Sequence, residues 1–347
     1  MSHMLTETRG RAGIATLNRP EALNALGHEM CILLEDALRR WAKADDVDLV
    51  IVDSVGEKAF CAGGDIKSIY NNALAGESEK AFDFWLDEYR LNATIDTYSK
   101  PYVAIMDKIV MGGGVGITAH GSHRIVTERT MLAMPECAIG LLPDVGGTHL
   151  LAQVPHDLGL YAGLTGARLS GADCLYAGLA DYFVPSDQLP ALIEELSTTG
   201  DVAVIEKYVT DPGPSDLQSN WSELRDLFGH ASVAQIMKAC QSSDSALAEA
   251  AYKALQNGAP LSLMVTFDAI RTAQGRNTLV DALRLEYRTC RMALNDGEFI
   301  EGVRAAVIDK DRNPRWKYAT LDSVPATLTA AIHAPAQGGD FQFSPEN

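Results

Sequence analysis

Apolar positions along the chain change period several times, and each change marks a predicted element. From Arg11 to Leu17 a short β-like run leads into Asn18-Arg19-Pro20; beyond it Met30, Leu33, Leu34, Ala37, Leu38 and Trp41 recur at the spacing of an amphipathic helix. Val47 to Val52 is compact, mostly apolar and rich in β-branched residues, which predicts a buried strand running on to the loop Phe60-Cys61-Ala62-Gly63-Gly64-Asp65. Phe82, Trp85, Leu86 and Tyr89 trace one face of a second helix; Pro101 stops it, and Tyr102 to Met106 reads as the next buried strand. Met111-Gly112-Gly113-Gly114-Val115-Gly116 follows, and the small residues up to Ala119 suit a helix packed closely on its neighbours. Ile125 to Thr127 and Met131 to Ala133 are further short strands. Repeated strand-to-helix units predict an α/β core with its ligand site at strand ends.

After about Asp181 the pattern becomes helical, with Leu189, Leu192 and Ile193, then Ile236, Ala239 and Cys240, then Val280, Leu283, Tyr287 and Cys290. Asp211-Pro212-Gly213-Pro214-Ser215-Asp216 is the clearest break in that region, and the Ala-, Pro-, Gly- and Gln-rich tail beyond Thr327 is expected to be loosely ordered. No internal repeat is visible.

With 347 residues, 47% of them hydrophobic and 22% charged, the chain can bury a substantial core. A formal net charge of -17 argues against a nucleic-acid or general polyanion binder, which needs a broad positive field. It leaves room for a phosphorylated ligand held by a few local cations and backbone amides. The six cysteines are scattered without a CxxC pair and read as reduced core thiols. No apolar run is long enough for a membrane span and no signal-peptide layout is present, so a cytoplasmic protein is expected. Met1-Ser2-His3-Met4 reads as a cloning remnant, which leaves an upstream targeting segment open.

Two glycine clusters, Gly63-Gly64 and Gly112-Gly113-Gly114, follow predicted strands, where the lack of Cβ lets backbone N–H groups approach a ligand. Two such loops can converge on one oxygen and stabilise an oxyanion; tight turns and close packing are the plain alternative. Met134-Pro135-Glu136 and Leu142-Pro143-Asp144 set two carboxylates eight positions apart in an apolar stretch, where desolvation raises pKa and suits a group to proton transfer or nucleophilic attack. For Asp144 the alternative is an N-cap on the helix that Gly146 begins; for Glu136 it is a buried structural acceptor. His120 and His123 lack a ligand partner at metal spacing, and no metal is assigned.

In order and spacing, Leu17-Asn18-Arg19-Pro20, Leu23-Asn24-Ala25-Leu26, Phe60 to Ile66, Lys100-Pro101 and the Gly112 to Gly114 run resemble the enoyl-CoA hydratase/isomerase, or crotonase, family over about Ile14 to Phe183. Met134 to Gly147 resembles the 3-hydroxyisobutyryl-CoA hydrolases of that family more closely than its hydratases, and Glu301 to Asp311 with Pro314-Arg315-Trp316 is similar to the C-terminal signature of the same hydrolases. The resemblance implies a crotonase-like α/β fold of repeated ββα units with a helical C-terminal region: residues 5–185 as the core with an acyl-CoA site, 186–326 helical, 327–347 the loose tail. It implies oxyanion donors at the backbone N–H groups of Gly64 and Gly113, acidic catalytic residues at Glu136 and Asp144, and a substrate-contacting Glu88, for which a solvated helix face is the alternative. CoA enters as part of the substrate, with no separate cofactor; a homo-oligomer is compatible with the family.

Three positions depart from the hydratases, one of them Asp144, where glycine is usual in the hydratases and the hydrolases agree with this chain. Where the hydratases carry a second glutamate after the glycine run, this chain has Gly116, and Lys108 stands where the family usually has glycine. Adding water across a conjugated double bond needs acid and base groups on two carbons, whereas thioester hydrolysis needs an oxyanion hole, a carboxylate that attacks or deprotonates water, and a group that manages the leaving thiolate. The implied reading is hydrolysis of a 3-hydroxyacyl-CoA, as in valine breakdown, with Glu136 attacking or activating water. A hydratase or isomerase relying on Glu136 alone, and an acyl-CoA-binding protein without turnover, are the competitors.

Overall fold

The computed structural model describes residues 2–276 and 278–335, so most of the tail beyond Thr327 lies outside the described residues. The described residues cluster into two compact units, each assembled from several segments: residues 2–65, 87–132 and 168–219 form the first, and residues 66–86, 133–167, 220–276 and 278–335 the second.

The strands are β1 (Met4–Arg9), β2 (Ala12–Leu17), β3 (Leu49–Ser54), β4 (Ala59–Cys61), β5 (Tyr102–Met106), β6 (Ile109–Met111), β7 (His123–Val126), β8 (Met131–Ala133), β9 (Leu169–Ser170) and β10 (Tyr182–Phe183). Six of them make a sheet in the order β1-β2-β3-β5-β7-β10, antiparallel only at β1/β2, and a smaller sheet runs β4-β6-β8-β9. The central strands β3 and β5 are buried along nearly their whole length, as continuous apolar runs in a parallel sheet must be. One face of the large sheet, with Ala12, Ile14, Leu49, Ile51, Val103, Ile105 and Ile125, packs on Leu189, Leu192 and Leu196 of the helix Leu189–Thr199. On the other face Gly13 lies under Trp41 of the helix His28–Lys43; a Cβ there would sit 2.3 Å from the indole, so only glycine admits this approach. Lys100 ties down the end of that helix, its Nζ donating to the carbonyls of Ala44 at 2.6 Å and Val47 at 2.7 Å.

Within the second unit the helices Pro260–Arg276, Leu279–Asp296 and Glu298–Val303 surround the short segments between residues 133 and 167. Trp85 meets Phe299 edge to face at 5.9 Å. Arg304 gathers the C-terminal signature by pairing with Glu301, Asp309 and Asp311 at 2.8, 2.6 and 2.7 Å and donating to the Asn313 carbonyl. Arg304 thereby holds the loop that follows it.

The predicted helix after Met111 is shorter than expected: Gly113–Gly116 is helical and turns carry the chain to Ala119. Strand β1 has no counterpart in the sequence reading, and Met4, read there as part of a remnant, opens it and is buried. All six cysteines are buried, and none is disulfide-bonded among the described residues.

Candidate active site

In the first unit a glycine cradle grows from a folded loop. Asn24 takes a left-handed conformation, φ 55°, and is buried; its side chain accepts from Arg19 N at 2.8 Å and donates to the carbonyls of Val55 at 2.9 Å and Ala59 at 3.1 Å. That fixes Leu23-Asn24-Ala25-Leu26, and Leu26 then bridges alongside Gly64, taking its own N–H to Gly63 O at 2.9 Å and receiving Asp65 N on its carbonyl at 2.8 Å. Arg19 clasps Asp65 at 2.7 Å. Gly63, at φ 115°, and Gly112, at φ 48° and ψ -121°, occupy backbone regions that side chains rarely adopt, and so turn the chain sharply after β4 and β6.

These turns bring Gly64 and Gly113 together. A Cβ built on Gly113 would lie 3.4 Å from Gly64 N, 3.3 Å from Leu26 Cδ2 and 2.6 Å from Glu88 Oε1. Neither amide takes part in a hydrogen bond among the described residues. Gly113 also begins a helical turn, where the first N–H groups have no partner within the helix. Glu88 is only 2% exposed, which removes the solvated-face alternative: on the helix Ser78–Asp96 it lies on the apolar stripe, three residues after Trp85. Burial and the nearby Glu88 charge push the Cys61 thiol up to about 12, against the Gly63 hydrogen bond. One turn beyond Glu88, Asn92 is fully buried with neither amide atom hydrogen-bonded among the described residues, a feature that sequence reading missed. Gly116 is buried too.

Glu136 and Asp144 lie in the second unit. Glu136 opens a 3-10 turn, Glu136–Ile139, clamped from two sides. Ala259 N donates to Cys137 O at 2.9 Å, while Gly140 and Gly302 let the backbone of the helix Glu298–Val303 press against the turn; a Cβ on either would meet backbone atoms at 2.4 and 2.2 Å. The Glu136 carboxyl is buried, and its Oε2 has no hydrogen-bond partner among the described residues. Burial first, then the charges of Asp144 and Glu286, hold its pKa well above the ordinary carboxylate range, partly opposed by its own backbone N–H.

Asp144 is also buried, with Cys290 Sγ 3.9 Å from its Oδ2. The N-cap expectation for it is overturned. The helix Gly147–Ala152 is preceded by Gly146 as cap residue, and the Asp144 carbonyl accepts from Gly147 N at 2.7 Å. The side chain that satisfies this helix start is Glu286, which accepts from Gly146 N at 2.7 Å, Thr148 N at 3.0 Å and Thr148 Oγ1 at 2.5 Å. Glu286 was missed in the sequence, although its place gives it away: residues 283, 286, 287 and 290 form one apolar stripe, and a carboxylate on such a stripe must have partners.

Backbone amides at Gly64 and Gly113 without an acceptor among the described residues, and an acidic cluster with a partnerless oxygen, are each a kind of group that acyl transfer uses. A family model described as enoyl-CoA hydratase/isomerase matches residues 12–332. The chain belongs to this family. It is 41% identical to the mitochondrial 3-hydroxyisobutyryl-CoA hydrolase of Danio rerio, a match covering 93% of this chain and 87% of the relative. To the human protein of that name it is 38% identical, over 92% and 86%. Among solved structures it resembles an enoyl-CoA hydratase from Rhodobacter sphaeroides, with a TM-score of 0.94 and 42% identity over 99% of this chain and 100% of the other. A carnitinyl-CoA dehydratase from Mycobacterium thermoresistibile gives 0.94 and 40% over 100% and 99%. The crotonase fold class expected from the sequence is therefore shown. Among the described residues no helix is long and apolar enough to cross a membrane.

Proposed function

We propose that this chain hydrolyses a 3-hydroxyacyl-CoA thioester, in particular 3-hydroxyisobutyryl-CoA, to the free acid and CoA. The observation that carries the reading is Glu136, an enclosed carboxyl with a partnerless oxygen beside Asp144, in a chain whose position 116 is glycine. Relatives of that name at about 40% identity over more than nine-tenths of the chain support it. In this reading Glu136 attacks the thioester carbonyl or takes a proton from the attacking water. The Gly64 and Gly113 amides receive the negative charge that develops on the carbonyl oxygen. As the C–S bond breaks, Asp144 manages the proton balance of the leaving thiolate. Glu88 contacts the acyl portion. A raised pKa makes Glu136 a stronger base than an ordinary carboxylate, which suits it to proton transfer.

The names of the two solved relatives favour a second reading, addition or removal of water at an enoyl-CoA. Two assays on one preparation separate them: release of free thiol from 3-hydroxyisobutyryl-CoA, and loss of enoyl absorbance from crotonyl-CoA. Thiol release with negligible hydration supports hydrolysis; efficient hydration of crotonyl-CoA without thiol release overturns it. A place in valine breakdown, a cytoplasmic site of action and assembly as a homo-oligomer belong to the same proposal. Fractionation tests the location and mass measurement in solution the assembly; the vertebrate relatives are named as mitochondrial.

A further inference from the structure

The turn that presents Asp144 is held in an unfavourable shape. Val145, a β-branched residue, has φ 55°, and Gly146 follows at φ 81°, so two consecutive residues stand in the left-handed region before the helix Gly147–Ala152 begins. Such a conformation persists only where its surroundings over-determine it. One side chain stands out among those surroundings. Glu286, wholly buried on the helix Leu279–Asp296, spans the turn with one oxygen on Gly146 N and the other on both the N–H and the hydroxyl of Thr148. One turn further along that helix, Cys290 lies against the Asp144 carboxylate itself.

We propose that Glu286 is a positioning residue for the reaction: by clamping Gly146 and Thr148 it fixes the Val145 turn and so aims the Asp144 carboxylate, with Cys290 backing it from the same helix. The inference rests on the hydrolytic reading of Glu136 and Asp144.

Helix capping alone does not account for the choice of residue. A serine or asparagine satisfies a helix start without bringing in another acid. Glu286 instead adds a carboxyl to a cluster that already holds two, and Asp144 and Glu286 each disfavour ionisation of their neighbours. Burial, with the Asp144 charge adding to it, pushes Glu286 up to about 8 in spite of its three donors. An arrangement this costly for a six-residue helix is explained when the geometry it enforces is that of the turn carrying Asp144.

The test uses the full chain with 3-hydroxyisobutyryl-CoA, thiol release as readout, and circular dichroism with a melting curve for each variant. Glu286→Gln loses one acceptor and sets an NH₂ against a backbone N–H. It should lower kcat by about tenfold to a hundredfold with KM within about threefold, the signature of a displaced group rather than lost binding. Thr148→Val removes one donor and should lower kcat by a smaller factor; Thr148→Ser restores the hydroxyl and should recover the parent rate. A folded Glu286→Gln with parental kcat, or with its loss in KM alone, overturns the proposal. If Glu286→Gln does not fold, the Thr148 pair decides, and equal kcat for Val, Ser and parent overturns it. Glu136→Gln is run alongside. A parent that turns over, a dead Glu136→Gln and an unimpaired Glu286→Gln reject this inference alone, whereas a parent that releases no thiol rejects the hydrolytic reading and this inference with it.

Discussion

The two units build polar sites from opposite materials. In the first, the groups proposed to act are backbone amides, present in every residue and left without an acceptor here because glycine at 63, 112 and 113 lets the chain turn and approach. Such donors carry no net charge and need no desolvation of an ion. The second unit buries three acids, Glu136, Asp144 and Glu286, within mutual influence, and with Glu298 it encloses a fourth elsewhere. Each carboxyl taken from water costs stability unless it is neutralised or hydrogen-bonded. The amide cradle should therefore be cheap to fold and sensitive to any added atom, and the acid cluster costly to fold and sensitive to charge.

Removing the central acid should break the contrast most strongly. Glu136→Gln keeps shape and removes charge, so thiol release should fall toward the upper end of about 10²–10⁴-fold while acyl-CoA affinity, read by isothermal titration, stays within about tenfold. The same variant should be more stable than the parent near neutral pH. Because folding raises the pKa of Glu136, the native state binds the extra proton; stability is then greatest below the unfolded value near 4.5 and is lost as pH rises toward the folded one. Melting curves taken from acid to alkaline pH should show the gain of Glu136→Gln absent at the acid end and growing as pH rises. A variant that keeps turnover would remove Glu136 from the chemistry.

In the cradle, deletion of an amide is the corresponding test, and Glu88 decides how to make it. Any side chain on Gly113 puts Cβ 2.6 Å from Glu88 Oε1, so Gly113→Pro in the parent would mix loss of a donor with displacement of a carboxylate. A Glu88→Ala background removes that contact and leaves the Cβ against Leu26 Cδ2 at 3.3 Å and Gly64 N at 3.4 Å, the same for every substituent. There Gly113→Ala and Gly113→Pro both add it, and only proline also deletes the N–H. Turnover of the proline variant should be lower than that of the alanine variant by about 10²–10³, or roughly 3–4 kcal/mol, with folding checked first. Equal rates would reduce the glycine run to packing.

Asp144→Asn should cost less, about tenfold to a hundredfold in kcat. It also carries a second readout, because the Asp144 charge helps to hold Glu136 above its ordinary range. The base form of Glu136 is the active one, so the rate falls as pH falls through its pKa; with the neighbouring charge removed, that acid limb should move to lower pH. An unmoved limb would mean that the two groups do not titrate as a cluster.

Much of this was legible beforehand, for identifiable reasons. Strands β3 and β5 announce themselves as short apolar runs because a parallel sheet is covered on both faces. Gly64, Gly113, Glu136 and Asp144 sit in ordered local motifs, which a linear reading can find. Glu286 is harder: it is an acid whose meaning depends on what faces its helix, and its partner Gly146 is 140 residues away in sequence. For Asp144 a helix cap stood as the alternative to catalysis because spacing shows where a helix starts and not which residue satisfies it; the amides of Gly146 and Thr148 turn to another helix.

The smallest expected effect concerns a turn in the amide-built unit that is remote from its glycines. Lys108, where glycine is usual in the family, has φ 69°, so the chain keeps a left-handed turn while carrying a side chain that disfavours it. The compensation is visible: Lys108 Nζ reaches the Gly56 carbonyl at 2.6 Å and lies 3.5 Å from Asp107. Lys108→Met removes that anchor and keeps the strain, whereas Lys108→Gly removes both. Relief of a left-handed residue is worth about 1 kcal/mol, so Lys108→Gly should be more stable than Lys108→Met by about that amount in urea titration, with kcat of both at the parent value. If Met instead proves the more stable, the lysine stem, rather than its ammonium, compensates the turn, and the conformational cost assigned to position 108 is too high. A change in kcat would be more serious, because it would tie this turn to the Gly113 cradle, which follows it through β6.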